Sequence, residues 1–79
     1  MARVLLFGPL RDLAGWRDRE VEAASLAALR GLLADEDADL GLALGGPGVQ
    51  VAVDQAVVRG DAALTARSEV AFLPPMSGG

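Results

Sequence analysis

The stretch SLAALRGLL, residues 25–33, decides the fold class of this chain. Its leucines recur at helical spacing and form one apolar stripe: Leu26, Leu29, Leu32 and Leu33. Ser25 stands in front of the stripe, where its hydroxyl can accept an early backbone N–H and begin a helix. An amphipathic helix must bury its stripe against another layer of structure. The stretch therefore predicts one main helix that lies on a sheet.

Five segments around this helix have the pattern of strands. The continuous apolar run VLLF, residues 4–7, predicts a strand buried on both faces. Charges alternate with apolar residues between positions 17 and 23, which is typical of a polar edge strand. The remaining strand patterns follow the helix, at residues 49–53, 56–58 and 69–73. Pro74 and Pro75 forbid the last of them from continuing.

The connecting segments fit between these elements. Leu10, Leu13 and Ala14 recur at helical spacing and predict one short helical turn behind the first strand. The acidic run 35–37 predicts the solvated end of the main helix, and the glycine-rich segment 45–48 predicts a loop.

The order β-β-α-β-β-β predicts an α+β fold of the ubiquitin-like β-grasp type. In this arrangement one main helix packs on one face of a small mixed sheet. The first and last strands are the most apolar, so we expect them to pair in parallel at the sheet centre. We assign residues 1–73 to the β-grasp domain and residues 74–79 to a flexible C-terminal tail.

Composition excludes most kinds of catalytic site. The 79 residues include no cysteine and no histidine, so the usual general base and the commonest metal ligands are missing. We expect no metal site within the chain. Eleven acidic residues against seven arginines give a net charge of −4, which disfavours nucleic acid and anionic membrane surfaces. No apolar stretch approaches the ~20 residues that span a bilayer, and we expect a cytoplasmic protein.

The C-terminal sequence PPMSGG, residues 74–79, offers the one distinctive chemical group. A diproline favours an extended conformation, and two glycines without Cβ atoms can thread a narrow channel. The α-carboxylate of Gly79 could be activated by adenylation and attacked by sulfur to give a thiocarboxylate, a good nucleophile at neutral pH. The plainer interpretation is a frayed terminus, since chain ends tolerate small residues.

Several segments together resemble the MoaD family, the small sulfur-carrier subunits of molybdopterin synthase. EVAFLPPMSGG at 69–79 resembles the C-terminal signature of that family. VLLF at 4–7 and LRDLAG at 10–15 resemble its first strand and short helix, and VAVDQ at 51–55 resembles its middle hairpin. The similarity covers nearly the whole chain. The chain departs from the family at 66–68, where Asp-Gly-Asp is common, and at Asp54, where the family often has Asn.

The resemblance implies a reaction sequence. An adenylyltransferase related to ubiquitin-activating enzymes would use ATP and Mg²⁺ to adenylate Gly79, and a sulfurtransferase would supply the sulfur. The tail would then enter the large catalytic subunit of molybdopterin synthase, in a heterotetramer. There it would donate sulfur twice to cyclic pyranopterin monophosphate to form the dithiolene. This chain itself would bind no cofactor.

The resemblance also implies roles for individual residues. Gly79 would carry the sulfur and Gly78 would permit its approach. The rest of the tail would line the channel of the large subunit: Pro74, Pro75, Met76 and Ser77. Arg11, Val57 and Leu73 map to a surface that faces the partner, although strand alternation alone would equally allow Val57 and Leu73 to be core residues.

Three other functions stay open at this stage. A carrier for the thiazole of thiamine would use the same chemistry with another acceptor, but its tail usually lacks the diproline. A ubiquitin-like modifier would join Gly79 to lysines of other proteins. A plain interaction module would have no use for Gly78 and Gly79.

Overall fold

A computed structural model of the chain describes residues 1–75. Its elements are β1 (Ala2–Leu6), α1 (Pro9–Ala14), β2 (Asp18–Val21), α2 (Leu26–Glu36), α3 (Ala38–Leu44), β3 (Gln50–Val53), β4 (Ala56–Val58) and β5 (Glu69–Leu73). The five predicted strands, the main helix and the short helical turn at α1 are all present. One element, the helix α3, was not predicted from the sequence.

The strands form one mixed sheet in the order β2-β1-β5-β3-β4. β1 and β5 are parallel, with Val4 beside Val70, and every other pair is antiparallel. The predicted central pairing of the first and last strands is confirmed, and β2 is an edge strand as expected. Asp54 and Gln55 join β3 to β4 with φ angles of 51° and 72°, the left-handed turn that suits a two-residue hairpin.

The helices cover one face of the sheet. Leu26, Leu29 and Leu33 of α2 are buried against it, and the Ser25 hydroxyl accepts the N–H of Ala28 as the predicted cap. Leu32 was predicted to belong to this stripe, but 41% of it is exposed. Successive helical residues are rotated by about 100°, so Leu32 points well away from Leu33 and the sheet.

Asp37 explains why a second helix follows α2. Its backbone N–H donates to the Leu33 carbonyl and ends α2, while its carboxylate accepts the N–H of Leu40 and begins α3. Leu40 and Leu44 then lie four residues apart and are both buried. The acidic run was therefore more than a solvated helix end, because its last residue caps the next helix.

The uncovered face of the sheet changes the interpretation of β1. Ala2, Val4 and Leu6 face the helices and are buried, whereas Leu5 is half-buried and Phe7 is 44% exposed. The prediction of a strand buried on both faces was wrong. Alternate side chains point to opposite faces of a strand, and the helices cover only one of them.

Within residues 1–75, no helix has the length and apolar character needed to cross a membrane.

Two glycines in the helical layer generate a testable contrast. A Cβ on Gly41 would lie 2.5 Å from the Cβ of Ala34, where α3 packs on α2, whereas a Cβ on Gly31 would meet no atom within 4 Å. We expect Gly41→Ala to lower the free energy of unfolding by about 1–3 kcal/mol through overpacking. We expect Gly31→Ala to raise it by about 0.5–1 kcal/mol, because alanine is the better helix former.

Urea unfolding followed by circular dichroism would measure both variants. A Gly41→Ala protein as stable as the Gly31→Ala protein would show that α2 and α3 are not in close contact.

Candidate functional site

The tail leaves the sheet from its central strand. Leu73 ends β5 and is paired with Gln50 of β3, while β1 lies on the other side. Pro74 is half-buried and Pro75 is exposed. Since proline has no N–H, the strand ends here as predicted. The other predicted tail residues lie outside the described residues: Met76, Ser77, Gly78 and Gly79. The division into a domain at 1–73 and a tail at 74–79 stays a prediction.

Apolar side chains form a row across the uncovered face of the sheet. The strand register places Leu5 beside Ala71, Ala71 opposite Ala52, and Ala52 opposite Val57. Register partners point to the same face, so these four side chains are neighbours on it. Leu73 continues this face towards the tail, and Phe7 follows Leu5 at the same end of the sheet. We call the surface formed by Leu5, Phe7, Ala52, Val57, Ala71 and Leu73 the open face.

A positively charged groove borders the open face. Its lining consists of three apolar residues, three arginines and one carboxylate: Leu5, Leu6, Phe7, Arg3, Arg11, Arg17 and Asp18. Arg3 is paired with Asp18 on β2, and the hydrogen bond from the Arg3 guanidinium lowers the pKa of the Asp18 carboxyl. The described part of the chain provides no ion pair for Arg17. The groove therefore keeps a positive charge although the whole chain is acidic.

Arg11 lines this groove and makes only a weak ion pair within the described part of the chain. Its Nε lies 3.6 Å from Asp12 Oδ1, and both side chains are largely exposed. A pair of that kind contributes little to stability, because water screens both charges. The guanidinium of Arg11 therefore remains available to an acidic group on another molecule.

The part of the site that the structure describes contains no cluster of metal ligands. No three carboxylates of residues 1–75 come close enough together to hold a metal ion. The arrangement consists instead of an apolar surface, a basic groove and the base of the tail.

A comparison with protein families identifies the chain. The model of the ThiS family matches residues 4–79. The chain belongs to the ThiS family. It is also 40% identical to the molybdopterin synthase sulfur carrier subunit of Escherichia coli (strain K12), over 81 aligned residues that cover 100% of both chains. The resemblance to the MoaD family is thereby confirmed.

Solved structures confirm the ubiquitin-like β-grasp fold. The solution structure of small archaeal modifier protein 1 (SAMP1) from Methanosarcina acetivorans matches with a TM-score of 0.87 and 21% identity, over 99% of this chain and 95% of that one. The crystal structure of SAMP1 from Haloferax volcanii matches with a TM-score of 0.80 and 22% identity, over 99% and 98%.

A third match is the protein–protein complex of subunits 1 and 2 of molybdopterin-converting factor from Helicobacter pylori 26695. Its TM-score is 0.73 at 23% identity, over 99% of this chain and 97% of that one. At these low identities, all three structures show the fold alone.

The structure locates the three surface residues predicted for this ThiS-family chain. Val57 lies on the open face with 57% of its area exposed, and Leu73 is half-buried on the same face. Neither packs into the hydrophobic core, so the alternative interpretation of both as core residues was wrong. Arg11 is exposed on α1 and lines the groove together with Leu5 and Phe7. Their role towards a partner stays a prediction.

Sequence reasoning missed Phe7 and Leu5 as members of this surface. Both were assigned to a strand buried on two sides. The available signal was Arg3, which shares their parity along β1 and would mark that face as solvent-facing. An uninterrupted apolar run concealed the alternation.

The two faces of the sheet predict effects of different size for the same substitution, valine to threonine. We expect Val57→Thr on the open face to change the free energy of unfolding by less than about 0.5 kcal/mol, as for other surface positions. We expect Val51→Thr to lower it by about 1–3 kcal/mol, because Val51 is 4% exposed and the new hydroxyl would be buried in the core.

Urea unfolding of the two variants would test this contrast. Equal losses of stability would mean that Val57 is also packed, and the open face would then not be free.

Proposed function

We propose that this chain is the sulfur carrier of molybdopterin synthase, working through its C-terminal carboxylate. The observation that carries the proposal is the 40% identity, over the full length, to the Escherichia coli sulfur carrier subunit of that enzyme. The base of the tail supports it, because the diproline follows directly on the central strand and favours an extended conformation.

The proposed activation step needs no side-chain nucleophile or base from this chain, because the C-terminal carboxylate is itself the attacking group. A carboxylate oxygen of Gly79 attacks the α-phosphorus of ATP, and pyrophosphate leaves. A sulfur nucleophile then attacks the acyl carbon, and AMP departs with the electron pair of the carbon–oxygen bond. The adenylyltransferase would hold the ATP and Mg²⁺ for this step. A sulfurtransferase would deliver the sulfur as hydrosulfide, which displaces AMP, loses its proton to water and remains as the thiocarboxylate.

The proposed transfer step takes place in the large catalytic subunit. The tail inserts with Pro74, Pro75, Met76 and Ser77 along the channel, and Gly78 lets the terminus approach the substrate. The sulfur attacks a carbon of the cyclic pyranopterin precursor, and an oxygen substituent leaves that carbon with the electron pair of the carbon–oxygen bond. Hydrolysis of the resulting thioester then leaves the sulfur on the pterin and returns the Gly79 carboxylate. Two such donations supply the two sulfurs of one dithiolene.

The open face and its basic groove would dock on the large subunit in the proposed heterotetramer. Val57, Leu73 and Phe7 offer apolar contact area on the same side as the tail base, and such exposed patches mark interaction surfaces. Arg11 would pair with an acidic group at the rim. One structure with the same fold is that of a complex between subunits 1 and 2 of molybdopterin-converting factor.

Two functions from other classes are outcomes of the test. A carrier for the thiamine thiazole would form the same thiocarboxylate but fail to restore molybdopterin synthesis. A protein modifier would form Gly79-dependent conjugates with lysines of other proteins. Two structures with the same fold are of proteins named as modifiers, the SAMP1 proteins.

The chemistry is tested on the terminal residue. After incubation with ATP, Mg²⁺, the adenylyltransferase and a sulfur donor, we expect Gly79 to gain about 16 Da, which fragmentation must distinguish from oxidation of Met76. Omitting ATP should abolish the gain. Deleting Gly79 should leave the thermal unfolding temperature unchanged and abolish molybdopterin synthesis. A Gly79-deleted chain that still supports molybdopterin synthesis would refute the proposal.

The docking surface is tested with a matched pair of variants. We expect Val57→Asp to weaken binding to the large subunit at least tenfold, because a charge would be desolvated in an apolar contact. Leu42→Asp is the control, since Leu42 is 78% exposed on α3, on the helical side of the domain. Calorimetric titration would measure both. Equal affinities for the two variants would exclude the open face as the docking surface.

A further inference from the structure

The two prolines after β5 lie against two glycines. A Cβ on Gly48 would stand 2.7 Å from the Cβ of Pro75 and 3.6 Å from its Cα, and a Cβ on Gly8 would stand 3.3 Å from the Cγ of Pro74. Carbon atoms make favourable contact at about 3.5–4.0 Å. A side chain at position 48 would therefore displace Pro75. Pro75 cannot yield by changing rotamer, because its Cβ belongs to a ring closed on the backbone.

The glycines belong to the loops beside the two strands that flank β5. Gly8 follows β1, and Gly48 precedes β3 in the loop after α3. Hydrogen bonds hold both loops: the Leu10 N–H donates to the Phe7 carbonyl at 3.2 Å, and the Val49 N–H donates to the Gly46 carbonyl at 3.3 Å. The diproline is thus contacted from both sides at one end of the sheet.

Glycine can be required at a position for two reasons, a left-handed φ angle or a lack of space for a side chain. Gly8 and Gly48 have φ angles of +56° and +81°, and Gly15 and Gly60 each have +83°. A Cβ on Gly15 or Gly60 would meet nothing within 4 Å, so only the left-handed backbone requires glycine there. At position 48 Pro75 adds a second requirement, the lack of space for a side chain, and at position 8 a Cβ would fit only if the Cγ of Pro74 shifted by a few tenths of an ångström.

We propose that Gly8 and Gly48 are positioning residues for the tail: they form a seat for Pro74 and Pro75 that sets the direction in which residues 76–79 leave the domain. The inference rests on the proposed function, in which Gly79 must reach the reacting atoms of two enzymes. Four extended residues span about 13 Å, so a change of 10–20° at Pro75 would move the terminus by roughly 2–5 Å. A misplacement of about 1 Å can cost on the order of 100-fold in rate.

A matched pair of variants separates the effect of a clash with Pro75 from the effect of placing a side chain on a left-handed backbone. Asparagine tolerates left-handed φ but carries a Cβ, so Gly48→Asn introduces the clash with Pro75 and Gly60→Asn introduces a side chain into open space. With the full chain, ATP, the adenylyltransferase and a sulfur donor, we expect Gly48→Asn to lower kcat for thiocarboxylate formation at least tenfold. KM should change less than threefold, because the docking surface is intact. Gly60→Asn should change either constant less than twofold.

A second background tests whether the effect passes through the proline. Pro75→Gly removes the ring that the new side chain would meet. In that background we expect Gly48→Asn to change kcat less than twofold further. A tenfold further loss there would show that position 48 acts through something other than Pro75, and would overturn the seat.

Nuclear magnetic resonance can test the contacts between the two glycines and the two prolines without any enzyme. We expect nuclear Overhauser effects between the Gly48 Hα and Pro75 ring protons, and between the Gly8 Hα and Pro74 ring protons, in the wild-type chain. They should persist in Gly60→Asn, whereas Gly48→Asn should lose the contact at Pro75. Their absence from the wild type, or a Gly48→Asn chain as active as Gly60→Asn, would overturn the inference. Failure of the wild type itself to gain sulfur would refute the proposed function, and the Overhauser measurement would still decide the seat.

Discussion

The parallel pairing of β1 with β5 is the contact on which the rest of this structure depends. Parallel neighbours cannot be joined by a tight turn, so the chain between them has to cross over the sheet, and here the crossover includes α2 and α3. The helices bury Val4, Val70 and Phe72 completely. The same pairing leaves β5 between β1 and β3, so that the end of β5 meets the loops next to both strands. The one-sided sheet and the position of the tail base both follow from this topology.

A sheet covered on one side leaves a small domain with an apolar surface that water must solvate. A domain of 79 residues buries a smaller fraction of its surface than a larger domain does. The surface lies next to the tail base and is bordered by Arg11 and Arg17 in a chain with a net charge of −4. Apolar area of this kind supplies affinity, while the local positive charge favours acidic partners and orients them. In the proposed function, the uncovered face of the sheet explains both the incomplete burial of the domain and its need for partners.

The chemistry of the proposed function is divided between this chain and its enzymes. The chain has no histidine or cysteine, and residues 1–75 contain no cluster of acidic side chains that could hold a metal ion. It would contribute a carboxylate and its placement, while its partners contribute activation, sulfur and substrate. A carrier that visits two enzymes has to present its terminus in the same way to each. Rigid prolines held against a rigid domain meet that need better than a freely jointed linker, because less conformational freedom is lost on binding.

Features that depend on neighbours along the chain could be predicted from local sequence patterns. The cap at Ser25, the turn at Asp54 and Gln55, and the end of β5 before Pro74 all follow from local patterns, and the tail motif identified the family. The tertiary structure decided which side of β1 is exposed, that Leu32 lies off the buried stripe, and that Gly48 touches Pro75. Periodicity tells which residues share a face, but only the placement of the helices decides which face is covered. A glycine needed for lack of space looks the same in sequence as one needed for its φ angle. The two can be told apart only when residues distant in the chain are brought into contact.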